Sequence, residues 1–238
     1  MPVEKIPASI GIIMDGNGRW ARRAGWERVR GHTEGIESVR DTARTAARLG
    51  VKELTLYAFS VENWKRPRRE VEYLMKLLRK FAIDERPEID KHAIRFTTIG
   101  RVDELPAPTL DALNETTEIS QHNEGMVLRL ALNYGGRAEL ADAARAIARE
   151  VAAGRLDPES IDESTVQGAL YDGSMRDVDL VIRTAGEMRV SNFLLWQISY
   201  AELVVTPTLW PEFRAEHLFD AIRTYAGRER RFGGLIQA

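Results

Sequence analysis

Ser9-Ile10-Gly11-Ile12-Ile13-Met14 is a short, nearly all-apolar run that ends on Asp15-Gly16-Asn17-Gly18. A run of that length closed by glycines reads as a strand buried on both faces, which requires a sheet covered on both sides. The rest of the chain repeats the theme. From Thr33 to Leu49 the apolar positions Ile36, Val39, Ala43 and Ala46 keep helical spacing, and Gly50 ends the pattern. Leu54–Phe59 reads as a second strand. Pro67 suits the first turn of a helix whose apolar stripe is Val71, Leu74, Leu78 and Phe81.

Further strands are expected at Ile94–Ile99, Val127–Asn133 and Leu180–Arg183, and helices near Thr109–Gln121, Ala138–Ala153 and Ala215–Ala226. In Ala138–Ala153, Leu140, Ala144, Ile147 and Val151 share one face. Strands alternating with helices predict an α/β fold, a mainly parallel central sheet flanked by helices on both faces. No repeat or linker divides the chain, so residues 1–238 are read as one domain.

Bulk properties narrow the function. The 34 basic and 36 acidic residues nearly cancel, whereas a general nucleic-acid binder carries a basic excess, so no nucleic-acid partner is expected. The absence of cysteine excludes disulfides, thiolate metal sites and thiol nucleophiles, and fits a cytoplasmic location. No run reaches the ~20 apolar residues of a spanning helix, and Met1–Pro7 lacks signal-peptide character.

The first strand-to-helix turn carries the chemistry. Open α/β sheets bind ligands at the carboxyl ends of their strands. Gly16 and Gly18 let backbone amides approach an anion, and Asp15 makes sense beside a diphosphate if it shares Mg²⁺ with it. In isolation the same residues would make an ordinary tight turn. The arginines shift the balance. Arg28 and His32 follow the turn; Ser60-Val61-Glu62-Asn63-Trp64-Lys65-Arg66-Pro67 follows the second strand; and Arg183 to Asn192, with Arg189, follows a late one. In a parallel sheet these junctions share one edge, gathering Arg19, Arg28, Arg66, Arg183 and Arg189 where a guanidinium fork suits phosphate oxygens. His92, His122 and His217 are scattered without ligand spacing.

The longer motifs are Met14-Asp15-Gly16-Asn17-Gly18-Arg19-Trp20-Ala21, Gly31-His32, Leu56-Tyr57-Ala58-Phe59-Ser60, Asn133-Tyr134-Gly135-Gly136-Arg137, Asp179–Thr184, Ser191–Gln197, Tyr200–Leu203 and Arg228–Gly234. In this order, from about Ile10 to Gly234, the chain resembles the cis-prenyltransferase family. The resemblance implies a Mg²⁺-dependent homodimeric enzyme with a hydrophobic tunnel, extending an allylic diphosphate, usually farnesyl, with isopentenyl diphosphate units in cis. It implies that Asp15 is the essential carboxylate and metal ligand, with Glu202 helping to place the metal. Gly16, Asn17, Gly18, Arg19, Arg28 and Arg66 would hold the allylic diphosphate, and Arg183, Arg189, Val190 and Ser191 the isopentenyl diphosphate. Asn63 and His32 match the proton-transfer and phosphate region, while Trp20, Ser60, Val61, Glu62 and Trp64 line the same site. The base that takes the proton could be Asp15, Asn63 through a water, or the diphosphate itself.

Two positions depart from the family pattern. Ala185 stands where Ser or Gly is usual, and Met188 where His or Gln is common; a thioether is a poor Mg²⁺ ligand. Ala58, small on the tunnel strand, favours a medium-to-long product such as undecaprenyl diphosphate. A short-chain synthase and a non-catalytic partner subunit are the alternatives, and contact with a membrane surface through the lipid product is allowed.

Overall fold

The computed structural model describes residues 5–228, so the Glu229–Gly234 part of the last motif lies outside the described residues. Six strands, β1 (Ser9–Ile13), β2 (Glu53–Ser60), β3 (Arg95–Ile99), β4 (Val127–Tyr134), β5 (Leu180–Arg183) and β6 (Glu202–Val205), form one sheet in the order β3-β4-β2-β1-β5-β6. Every neighbouring pair is parallel. From β1 the chain adds β2, then the edge strand β3, inserts β4 between β2 and β3, and places β5 and β6 on the other side of β1. The direction of winding therefore switches beside β1, where such sheets open a crevice at the strands' carboxyl ends.

Strand alternation divides the core. Ile10, Ile12, Leu54, Leu56, Leu128, Leu130, Leu180 and Ile182 are all buried in one cluster. Helices α2 (Arg28–Leu49), α3 (Arg68–Asp84), α5 (Ala107–Ser120) and α8 (Ala215–Ala226) contribute Ala46, Phe81, Leu113 and Ile222 to it. Each such fully buried aliphatic side chain contributes about 1.5–3 kcal/mol. The intervening residues Ile13, Ala131 and Val181 face the opposite way, against Met175, Val178, Phe193 and Leu194. Helix α6 (Gly136–Ala152) is tied to that second face by Glu139, which accepts the Tyr134 hydroxyl at 2.5 Å and the Gln197 amide at 3.2 Å.

Several elements differ from the sequence expectation. Helix α2 begins at Arg28 rather than Thr33, with no side-chain cap to mark its start. The Asn17–Arg23 stretch is a short helix, α1, and β6 has too few residues to show a period. Helices α4 (Arg86–Lys91) and α7 (Glu163–Ala169) are equally short. In α6 the buried positions are Gly136, Glu139 and Ala143. The apolar face Leu140, Ala144, Ile147 and Val151 instead lines an open groove with Ile161 and with Val166 of α7. Burial of Glu139 is possible because its carboxylate is fully bonded, which apolar periodicity does not register.

Candidate active site

The turn after β1 is over-determined. Thr184, buried at the end of β5, accepts the Asp15 amide at 2.8 Å and donates to the Asp15 carbonyl at 2.7 Å. The Trp210 amide also donates to that carbonyl, at 3.0 Å. Gly16 has φ +107°, and a Cβ there would lie 2.9 Å from Leu209. One residue on, α1 presses against α2: a Cβ on Gly31 would meet the Asn17 carbonyl oxygen at 2.0 Å. Glycine at 31 is thus required for α2 to bring Arg28 and His32 beside the turn.

On the β5 side, Arg183 is almost fully buried and aimed at Asp15. Its Nη2 donates to Asp15 Oδ2 at 3.1 Å, and its Nη1 to Ser191 Oγ at 2.6 Å and to the Arg189 carbonyl. Its Nε has no hydrogen-bond partner among the described residues. Arg19 adds a second cation, 3.4 Å from the same carboxylate oxygen and bonded to the Ala185 carbonyl at 2.8 Å. Ala185, Ser191, Asn192 and Leu194 all have positive φ. In an L-residue that conformation costs about 1 kcal/mol or more each, and such strain clusters at binding loops. It also accounts for Gly as a usual residue at position 185.

On the β2 side a different cluster forms around Glu70, in the first turn of α3. Its carboxylate, side chain 9% exposed, lies 3.2 Å from Arg66, 3.9 Å from Arg28 and 3.8 Å from His32. Burial, reinforced by the charges of Arg66 and Arg28, pushes the His32 pKa down to about 4, so the imidazole is neutral at physiological pH. Burial is likewise the main cause lowering Arg66, which stays protonated. Glu70 is a site residue the sequence reading missed; Arg66 lies before α3 in extended backbone, so no helix-face pattern links the two.

The turn after β2 supplies polar groups between the two clusters. The Asn63 side-chain oxygen accepts the Ser60 amide at 3.2 Å, leaving its NH₂ as a donor at the cavity wall. Asn192, also missed, donates to Glu62 at 3.0 Å and accepts the Arg137 amide at 2.9 Å, stitching the Arg183 loop to this turn.

These groups open into one cavity of about 640 Å³, within the range of ligand pockets. Asp15, Gly16, Asn17 and Gly18 line it, as do Arg28, His32, Ser60 and Glu62, and Asn63, Arg66, Arg183 and Ser191. Its inner wall is apolar: Ile36, Val39, Ala58, Leu74, Leu78, Phe81 and Leu130. The stripe on α3 therefore faces a cavity as well as core. Other expected residues stand back from it. Trp20 packs edge-on against Trp26, Trp64 donates to the Asn133 side chain, and Arg189 pairs with Glu187 at 2.6 Å. Val61 and Val190 are outside the lining, as is Arg19, which reaches the site only through Asp15. Met188 is 83% exposed.

Glu202 stands apart from Asp15 within the chain. It opens β6 in register with Leu180, three residues before the Arg183–Val205 pair, and bonds Arg228 at 2.6 Å. About 10 Å of strand separates it from the carboxyl edge, so within one chain it does not join Asp15. A role at that metal would need a second copy of the chain to bring it there. Asp15 alone suits Mg²⁺ in chemical terms, since that ion is held by one or two carboxylates plus phosphate oxygens. Its side chain lines the cavity and is one-third exposed; Oδ1 accepts the Gly16 amide at 2.7 Å, and Oδ2 faces Arg19 and Arg183, which also suit a diphosphate. Among the described residues no group of three or more acidic or histidine side chains converges.

A parallel sheet with a carboxylate and arginines at its switch point, backed by an apolar cavity, defines a site for anionic ligands with lipophilic tails. Comparison makes the class specific. Residues 13–233 match the family model described as putative undecaprenyl diphosphate synthase. Isoprenyl transferases of Streptococcus mutans and Bacillus subtilis are each 48% identical, over 98% and 97% of this chain and 95% and 89% of theirs. The crystal structure of lavandulyl diphosphate synthase from Lavandula x intermedia, in complex with dimethylallyl diphosphate, superposes with a TM-score of 0.94. That pair is 38% identical over 97% of this chain and 99% of the other. A probable undecaprenyl diphosphate synthase from Campylobacter jejuni gives 0.79 at 28% identity, over 95% and 98%. The chain belongs to the undecaprenyl diphosphate synthase family of cis-prenyltransferases.

Proposed function

We propose that this chain condenses isopentenyl diphosphate in cis onto an allylic diphosphate, with farnesyl diphosphate as starter, to make a medium-to-long polyprenyl diphosphate such as undecaprenyl diphosphate. The observation that carries this reading is the pair of cationic clusters flanking Asp15 at the mouth of an apolar cavity. Arg28, Arg66 and the Gly16–Gly18 turn would bind the allylic diphosphate, its hydrocarbon running inward past Ala58, Leu74 and Leu78 as along a tunnel. Arg183 and Ser191, with Arg189 redirected from Glu187, would bind the isopentenyl diphosphate.

Ionisation of the allylic C–O bond leaves charge on the departing diphosphate, and fixed guanidinium groups at those oxygens lower its barrier. Mg²⁺ held by Asp15 would supply further neutralisation of that charge. Holding the isopentenyl double bond against the allylic carbon converts a bimolecular step into a local one. A new C–C bond then forms, and the proton lost from the isopentenyl unit goes to Asp15, to a diphosphate oxygen, or to a water held near Asn63. His32, neutral and packed beside Glu70, would position phosphate rather than carry charge. We place the enzyme in the cytoplasm as a homodimer, its lipid product bringing it to a membrane surface.

Purified protein with Mg²⁺, farnesyl diphosphate and labelled isopentenyl diphosphate should yield a ladder of polyprenyl products, sized by chromatography after dephosphorylation. No incorporation with any allylic starter would overturn the reading. The likeness to a synthase solved with dimethylallyl diphosphate favours a second reading, a short-chain product; a single addition to dimethylallyl diphosphate, with farnesyl diphosphate left unextended, would establish it.

A further inference from the structure

The chain leaves the cavity lining at Gly18 and returns to it at Arg28, and these two residues touch: a Cβ on Gly18 would lie 3.1 Å from Arg28 Nε. The segment between them is therefore a hairpin standing on the cavity rim. Its tip, residues 22–28, is exposed without a break. Residues 19–30 hold five arginines, Arg19, Arg22, Arg23, Arg28 and Arg30, against one acid, Glu27, in a chain whose net charge is −2. The hairpin also presents an aromatic ring. Trp26 is 46% exposed, braced by Trp20 edge-on at 5.3 Å and by the Arg30 guanidinium 5.0 Å from its ring centre.

A neighbouring stretch of the rim, joined to the hairpin through Glu70, repeats the combination. Between and beyond the cavity-lining Asn63 and Arg66, Trp64 is 40% exposed, and Lys65, Arg68 and Arg69 are exposed. Two neighbouring rim segments thus pair a half-exposed tryptophan with unburied cations, and from this rim the cavity runs back along an apolar wall. Tryptophan with arginine at an exposed edge matches the headgroup layer of a bilayer, where the ring meets the acyl boundary and the cations meet phosphate. Among the described residues no helix is long and apolar enough to cross a membrane, so contact would be peripheral.

We infer that the Arg19–Arg30 hairpin and the Trp64–Arg69 segment form a docking surface for a bilayer carrying anionic phospholipid headgroups, setting the cavity mouth against the membrane. The purpose of this contact rests on the cavity holding a prenyl chain; the contact itself does not. An anionic surface attracts each added Lys or Arg with an energy equivalent to about fivefold in affinity. Converting two arginines to glutamates should therefore weaken binding at least about twentyfold.

The test is co-sedimentation of the full chain with phosphatidylcholine vesicles carrying about one-third phosphatidylglycerol, beside pure phosphatidylcholine vesicles. Turnover in detergent solution is measured in parallel, where no bilayer is needed. The expected result is binding to the anionic vesicles only, weakened by salt and lost in R22E/R23E, with detergent turnover unchanged; neither arginine lines the site. Trp26→Ala, checked for folding by circular dichroism, should lose several-fold in vesicle affinity and serves if the double variant misfolds. Equal binding to both vesicles, undiminished binding by R22E/R23E, or capture of single-stranded RNA in place of vesicles would overturn the inference. Vesicle binding without turnover would instead remove the proposed activity and leave the surface standing.

Discussion

Arg183 and Arg66 stand on either side of Asp15 and are held in opposite ways. Arg183 is buried, fixed by a hydroxyl and a backbone carbonyl, and Asp15 is its one carboxylate partner among the described residues. Arg66 shares the buried Glu70 with Arg28 and His32 and keeps nearly a third of its side chain in solvent. One side of the site is therefore a rigid socket whose guanidinium is buried and set against Asp15. The other is a cluster in which two arginines share one carboxylate, so an anion that binds there competes with an internal partner. If these are the isopentenyl and allylic subsites, the rigid side fits a substrate that is replaced unchanged in every cycle. The yielding side fits one that lengthens and must release diphosphate.

The largest break in this comparison comes from Arg183. Arg183→Ala removes a phosphate donor and an Asp15 partner, and kcat/KM for isopentenyl diphosphate should fall about 10²–10³-fold. Arg183→Lys keeps the charge without the fork and should recover only part of that loss. An equal loss from the isosteric Glu70→Gln would erase the distinction between the two sides.

Glu70→Gln leaves Arg28 and Arg66 facing each other without a counter-charge. It should cost about 2 kcal/mol of stability, roughly a 4–8 °C fall in Tm for a chain of this size. Inorganic diphosphate should restore more of that Tm in the variant than it adds to the wild type. An unchanged Tm would show that Glu70 does not offset the charge of the two arginines.

The smallest effect is His32. Its pKa, near 4 in the fold, lies below the ordinary value of 6.5, so the unfolded chain binds more protons between those limits. Stability contributed by neutral His32 is whole above pH 6.5 and falls as the pH drops toward 4. At pH 5 the loss is about 1–2 kcal/mol. Denaturant melts at pH 7 and pH 5 should differ by that amount more in the wild type than in His32→Asn. Parallel pH slopes would contradict the burial of a neutral imidazole.

The sequence made the rigid side easier to read than the yielding one, for a physical reason. Asp15 and Arg183 end adjacent strands, so a parallel sheet alone brings them together once β1 and β5 are recognised. Glu70 reaches the site from inside α3, through helix packing that apolar periodicity does not encode. Thr184 and Asn192 act through bonds to backbone 55 to 169 residues away, which no local pattern reports. Glu202 shows the converse: a residue inside a recognisable motif that register places at the far edge of the sheet.

Everything proposed for the site converges on the Asp15 carboxylate, which makes Asp15→Ala the most direct test. With Mg²⁺, farnesyl diphosphate and labelled isopentenyl diphosphate, turnover should fall about 10³-fold or more while circular dichroism and Tm show a folded chain. Turnover within tenfold of wild type in a folded Asp15→Ala protein would contradict the assignment of this site.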